Sequence, residues 1–158
     1  TVYGISYRPR LDLVINLLTA KAVTEKKIKI FGGEQWRPFV SINDVADAIL
    51  CLLRSDDKIV KREIFNIGSN KQNYQISSIG ELIKNVIPEV DIEIVEGIID
   101  RRNYRVNFDK VENVLEFKCK NNILDEIARM RDYILNIKGI NIDDPRFSNY
   151  KTFINTEA

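Results

Sequence analysis

Residues 28–48 read IKIFGGEQWRPFVSINDVADA, and this stretch decides the fold class. Ile28–Phe31 and Phe39–Ile42 are short β-type runs, and the GGEQWRP between them carries two glycines and a proline that break regular structure. Ser41 or Asn43 then stands where a helix N-cap belongs, with Asp44 and Asp47 in the first turn, where the helix dipole favours anions. The spacing predicts a strand, a loop, a second strand and a helix over about 44–54.

Working outward, TVYG (1–4) reads as a strand, and LDLVINLLTAKAV (11–23) is apolar on almost every side. That describes a helix buried on most faces, with Asn16 as its odd polar member. Downstream, IFNI (64–67) reads as a strand. Ser78 and Glu81 have capping-box spacing and open a helix that Pro88 ends, with Ile79, Leu82, Ile83 and Val86 on one face. Strands at 92–95 and 104–108 and helices at about 109–116 and 122–137 complete the pattern. Strands alternating with helices indicate an α/β domain over 1–138; residues 139–158 have turn chemistry without a period and read as an irregular tail.

Composition narrows the function. The 158 residues are 44% hydrophobic and 30% charged, and 24 basic against 23 acidic residues leave a net charge of +1, which argues against a nucleic-acid partner. No apolar run has the length of a membrane span. Two cysteines without a pairing motif fit a reducing, cytoplasmic setting, and the absence of histidine removes the usual metal ligand and general base. No metal site and no catalytic residue is expected. There is no GxGxxG, no GxxxxGK[ST], and no tyrosine has a lysine four positions on. Self-contained catalysis is not expected, but binding is: Arg37, after Gly32 and Gly33, offers a fork of donors suited to diphosphate oxygens. On the residues alone Arg37 equally suits an ion pair with Glu34 or a nearby aspartate, Asn16 a buried amide bonded to backbone, and Arg101 with Arg102 a solvated turn.

TVYG, RPRLDLVIN, KIKIFGGEQWRPFVSINDVADAI, EIFNIGSNKQNYQISSIGELI and DRRNYRVNFDKVENVLEF resemble, in order and spacing, the NAD-dependent sugar-nucleotide epimerases and dehydratases of the extended short-chain dehydrogenase type. The likeness covers roughly residues 1–135 and is most specific from Phe31 to Ala48. It implies the C-terminal portion of such an enzyme: the end of a Rossmann-like sheet with the small lobe that closes over the sugar nucleotide. It further implies that Arg37 and Asn16 contact the substrate diphosphate and that Lys29, Ile30 and Phe31 lie along the nucleotide base with Phe39 nearby. Arg101 or Arg102 would be a second phosphate arginine, in a DRRNYR that replaces the family's Arg-Pro-Gly. Gln35 and Arg10 would lie near the pocket. Tyr3 and Gly4 resemble the turn that reaches the nicotinamide of NAD, with Ile5 in place of the usual proline. The glycine-rich NAD loop and the Tyr-x-x-x-Lys pair would precede residue 1, in a Rossmann half that this chain lacks, and strand edges left bare by that absence would favour self-association. The rival class is a non-catalytic module that binds or senses a nucleotide sugar. A third, purely structural reading predicts a salt-bridged Arg37 and no anion-accepting cleft.

Overall fold

The computed structural model describes residues 1–97, 100, 102–150 and 152. The strands are β1 (Val2–Tyr3), β2 (Lys27–Phe31), β3 (Trp36–Pro38), β4 (Val40–Ser41), β5 (Asn73–Gln75) and β6 (Asp91–Val95). The helices are α1 (Val14–Thr24), α2 (Ile42–Arg54), α3 (Asp57–Val60), α4 (Ile76–Val86), α5 (Asp109–Leu115) and α6 (Ile123–Asn136). The fold is α/β, with β1 parallel to β4, β2 parallel to β6 in the register Lys27↔Asp91 to Phe31↔Val95, and β3 antiparallel to β5.

Alternation in β2 sets the main core. Ile28 and Ile30 point inward while Lys27, Lys29 and Phe31 point out, as a period of two requires. The inward pair packs with Ile15 and Leu18 of α1, Ile79 and Ile83 of α4 and Ile127 of α6. On the outer face Lys27 Nζ lies 2.7 Å from a Glu93 carboxylate oxygen of β6, and Lys29 Nζ 3.8 Å from the other. A second cluster joins Leu11, Ala20, Met130 and Ile134 to Phe147. Residues 145–149, read as part of an irregular tail, are therefore packed: the Leu11 N–H donates to the Phe147 carbonyl at 2.9 Å, Arg8 Nε donates to the Arg146 carbonyl at 2.6 Å, and the Asn149 N–H donates to Asp12 at 3.2 Å. The same bonds hold residues 11–13 out of helix, so α1 begins at Val14.

Four expected elements differ. Trp36–Pro38, read as loop, is a strand because β5 pairs with it. Residues 104–108 form no strand, because side-chain amides take the place of a ladder: Asn73 Oδ1 accepts from the Val106 N–H at 3.0 Å, Asn73 Nδ2 donates to the Val106 carbonyl at 3.1 Å, and Asn70 Oδ1 accepts from the Phe108 N–H at 2.9 Å. Residues 64–67 likewise have no strand partner among the described residues. Helix α4 begins at Ile76, ahead of the Ser78–Glu81 capping box, because the glycine loop caps it: the Ile76 and Ser77 N–H groups donate to the carbonyls of Gln35 (3.2 Å) and Gly33 (2.9 Å). Of the two candidate caps of α2, Ser41 is the one used, accepting from the Asn43 N–H at 3.2 Å.

Two buried carboxylates join α2 and α6. Asp44, read as a dipole-compensating first-turn residue, is fully buried, and its Oδ1 accepts from the Lys120 N–H at 2.9 Å and from Asn121 Nδ2 at 2.8 Å. Glu126 is also buried, with Arg129 Nη1 at 2.6 Å. Burial pushes the Glu126 carboxyl up, against the pull of Arg129. A carboxyl raised in the folded state stabilises the fold when protonated, and that contribution is lost as pH rises from the ordinary glutamate value through the raised one. Glu126→Gln is therefore expected to match the wild type at low pH and to gain on it as pH climbs through that window. Thermal melts across pH 3–8 check this, and a constant difference between the two proteins would contradict it.

Candidate functional site

The glycine loop is built by its own polar groups. Gly33 has φ of +103°, and an added Cβ would sit 3.2 Å from Ser77 Cβ, so a side chain there would be strained in conformation and crowded by α4. Gln35, expected near the pocket as a substrate residue, spans the turn: its Oε1 accepts from the Gly33 N–H at 2.8 Å and its Nε2 donates to the Phe31 carbonyl at 2.9 Å. The Gly32 N–H donates to the Val95 carbonyl at 3.0 Å. These amides serve the fold, so an anion at this loop depends on side chains. Gln35→Ala is expected to cost about 1 kcal/mol, since it removes the two bonds that brace the turn while the Gly33 N–H keeps its bond to the Phe31 carbonyl at 3.1 Å. Denaturant unfolding measures it, and unchanged stability would show that Gln35 does not brace the loop.

Strand β3 carries Arg37 into the interior, opposite Tyr74 of β5. Its guanidinium is 7% exposed, and Nη2 lies 3.0 Å from Asp100 Oδ2. Nη1 donates to the carbonyls of Trp36 (2.7 Å) and Arg102, and the group sits 5.5 Å from the centre of the Tyr104 ring. Arg102 binds the same carboxylate through Nη2 at 2.6 Å and its own N–H at 3.1 Å. These contacts, Arg102's ahead of Arg37's, hold the Asp100 carboxyl well below the usual carboxylate range. Arg101 lies outside the described residues. Sequence reasoning missed the role of Asp100; its only local signal is the DRR run, which says nothing of Arg37.

Beside this triad lies an open cleft of about 860 Å³, lined among others by Gly32, Gly33, Gln35, Ser77, Asp100 and Asn103. Its volume is within the roughly 300–1,000 Å³ of small-molecule sites. Glu34 and Glu96 also line it, so its wall is acidic, and Asp100 is the lining residue through which Arg37 and Arg102 are linked to it. Arg37 is thus salt-bridged, as the structural reading required, and it meets the cleft only through Asp100, which lines it.

The other expected site residues are dispersed. Phe31 and Lys29 lie on the outer face of β2, whereas Ile30 and Phe39 are buried in the main core, so their side chains serve packing. Asn16 is buried and its amide is used by the backbone: Oδ1 accepts from the Gly4 N–H at 3.0 Å, and Nδ2 donates to the carbonyls of Arg10 (3.1 Å) and Gly4 (3.4 Å). Arg10 forms a two-bond pair with Asp12, each bond 2.9 Å. Tyr3 is buried, and its hydroxyl donates to Gln72 Oε1 at 2.9 Å; burial first, then the charges of Asp44 and Glu126, push its phenol up, away from ionisation. The Tyr3 hydroxyl and both Gly4 polar groups are thus engaged within the chain.

No helix among the described residues is long and apolar enough to cross a membrane. The described residues also hold no group of three or more potential metal ligands.

With the parallel pairs, the glycine loop and the arginine strand in view, known proteins provide a frame. Residues 1–68 match the NAD dependent epimerase/dehydratase family. The fold extends the likeness over most of the chain. UDP-glucuronic acid 4-epimerase of Bacillus cereus, solved with UDP-glucuronic acid and NAD, superimposes with a TM-score of 0.71 at 23% identity, over 85% of this chain and 43% of that one. UDP-glucose 4-epimerase of Thermotoga maritima, solved with UDP-glucose, gives 0.69 at 24% identity, over 85% and 43%. ADP-L-glycero-D-manno-heptose-6-epimerase of Helicobacter pylori gives 0.69 at 21%, over 87% and 42%. The chain spans less than half the length of these solved structures. Its fold is shared with part of each of these epimerases, and the family matched at residues 1–68 is one of NAD-dependent enzymes.

Proposed function

We propose that this chain is the C-terminal, nucleotide-sugar-binding part of an NAD-dependent sugar-nucleotide epimerase or dehydratase, and that it binds the nucleotide diphosphate through Arg37. The observation that carries the reading is a buried arginine already holding an anionic group, the Asp100 carboxylate, which itself lines a cleft of small-molecule size in an epimerase-like fold. Arg102 is the second arginine of the same end. In this reading the chain positions and does not react. Contacts to the remote diphosphate orient the sugar, and orientation is itself a large share of rate enhancement. NAD, when bound by the whole enzyme, supplies hydride chemistry.

Catalysis in this reading needs an NAD-binding half. The parallel pair β1–β4 is two residues long, and parallel strands normally lie in sheets covered on both faces. Helix α2 presents Ile49, Leu50 and Leu53 to solvent, an apolar face of the kind that another domain covers. Without such a cover, the same surfaces favour self-association.

Calorimetric titration of the chain with UDP, ADP, GDP and NAD tests the binding role. Saturable binding of at least one nucleoside diphosphate, with no NAD reduction on adding a nucleotide sugar, is expected. Binding of NAD but of no nucleoside diphosphate would overturn the reading.

A further inference from the structure

Arg37 and Arg102 converge on one carboxylate, and that carboxylate belongs to the chain itself. Asp100 Oδ2 lies 3.0 Å from Arg37 Nη2 and 2.6 Å from Arg102 Nη2, while Oδ1 accepts from Arg102 Nε at 2.9 Å and from the Arg102 N–H at 3.1 Å. Two guanidinium groups and a main-chain N–H are a donor set that serves phosphate oxygens equally well. The partners differ in what separation would cost them. Asp100 is 40% exposed on the cleft wall and can turn to water, whereas the Arg37 guanidinium is 7% exposed and cannot be left without an anion. An incoming group that brings more negative charge than a carboxylate can therefore replace Asp100 without stranding Arg37.

We infer that Asp100 is an internal competitor at this site: it neutralises Arg37 and Arg102 in the free chain and gives up both arginines to a diphosphate. The inference rests on the reading of Arg37 as the diphosphate arginine, and adds an exchange of anions to it. Two consequences follow from mass action. Apparent diphosphate affinity is lowered by the fraction of time Asp100 holds the arginines, so an occupancy of about nine-tenths implies a gain of about tenfold when the carboxylate is removed. Removal also leaves Arg37 buried without a counter-charge, so the variant loses stability in the absence of anions and recovers it when a diphosphate binds.

Inorganic pyrophosphate is the probe, since it carries the diphosphate chemistry without base or sugar. It is titrated into wild type, Asp100→Asn, Asp100→Ala and Arg37→Ala while the arginine Nε–Hε signals are followed by NMR and melting temperatures are recorded. The expected result is a dissociation constant about tenfold lower in both Asp100 variants than in wild type, with a larger pyrophosphate-induced rise in melting temperature. Equal or weaker binding by the Asp100 variants, with Arg37→Ala weakened, would overturn the exchange and leave the diphosphate reading standing; Asp100 would then organise the arginines. Binding by Arg37→Ala as tight as wild type would overturn both. The wild-type chain offers a further readout that no folding defect can remove. Saturating pyrophosphate is expected to move the midpoint of the Asp100 carboxyl titration upward, as the arginines leave it, and an unchanged midpoint would overturn the exchange.

Discussion

Arg37→Ala is expected to lower nucleoside-diphosphate affinity by about 1.5–3 kcal/mol, the range for a hydrogen bond to a charged group, or roughly ten- to a hundredfold. The side chain is nearly inaccessible to water, so little solvation compensates for a lost ligand contact. Arg37→Lys tests geometry apart from charge. Lysine keeps one positive charge but cannot reproduce the fork that reaches Asp100 and two main-chain carbonyls together, so most of the loss is expected to remain. Isothermal calorimetry with the tightest-binding nucleotide measures both variants. Wild-type affinity in Arg37→Ala would remove Arg37 from the site.

Asp44→Ala is expected to be the most damaging substitution for stability. The carboxylate is fully buried and takes N–H donors from Lys120 and Asn121, at the joint between α2 and the segment that leads into α6. Alanine would leave these part-buried donors without their acceptor, at about 1.5–2.5 kcal/mol for each of the two bonds to the charged group, or roughly 3–5 kcal/mol in total. Against a typical total stability of about 5–15 kcal/mol that loss is severe. In a chain of this size it corresponds to a fall in melting temperature of roughly 6–20 °C. Asp44→Asn keeps one accepting oxygen and is expected to lose less. Differential scanning calorimetry decides, and a fall of less than about 2 °C in Asp44→Ala would mean that the joint does not depend on this carboxylate.

Much of the fold was legible in the sequence because it is local. The alternation of Ile28 and Ile30 with Lys27 and Lys29 states both the strand and its buried face, and Ser41 and Asn43 bracket the start of α2. What could not be read was long-range pairing. Nothing near Trp36 announces that Asn73–Gln75 will pair with it, and nothing near Ser77 announces that the carbonyl of Gly33 will cap its helix. Residues 104–108 have strand composition, yet the asparagines at 70 and 73 take up their polar groups. The site shows the same division. Arg37 stood out by residue type and glycine-rich context, but the partner that defines its environment, Asp100, is contributed by a distant loop. On its residues alone Asn16 suits a buried amide bonded to backbone, and its geometry has that form, whereas the family likeness makes it a diphosphate contact.

If a nucleotide diphosphate binds at the arginines that Asp100 links to the cleft, amide-shift mapping by NMR shows it most directly. Titration with a nucleoside diphosphate is expected to move the signals of residues 32–37 and of Arg102, Asn103 and Tyr104, with those of α5 and the outer face of α2 unmoved. Saturable binding that shifts α5 or α2 and leaves Arg37 and Arg102 in place would contradict the account.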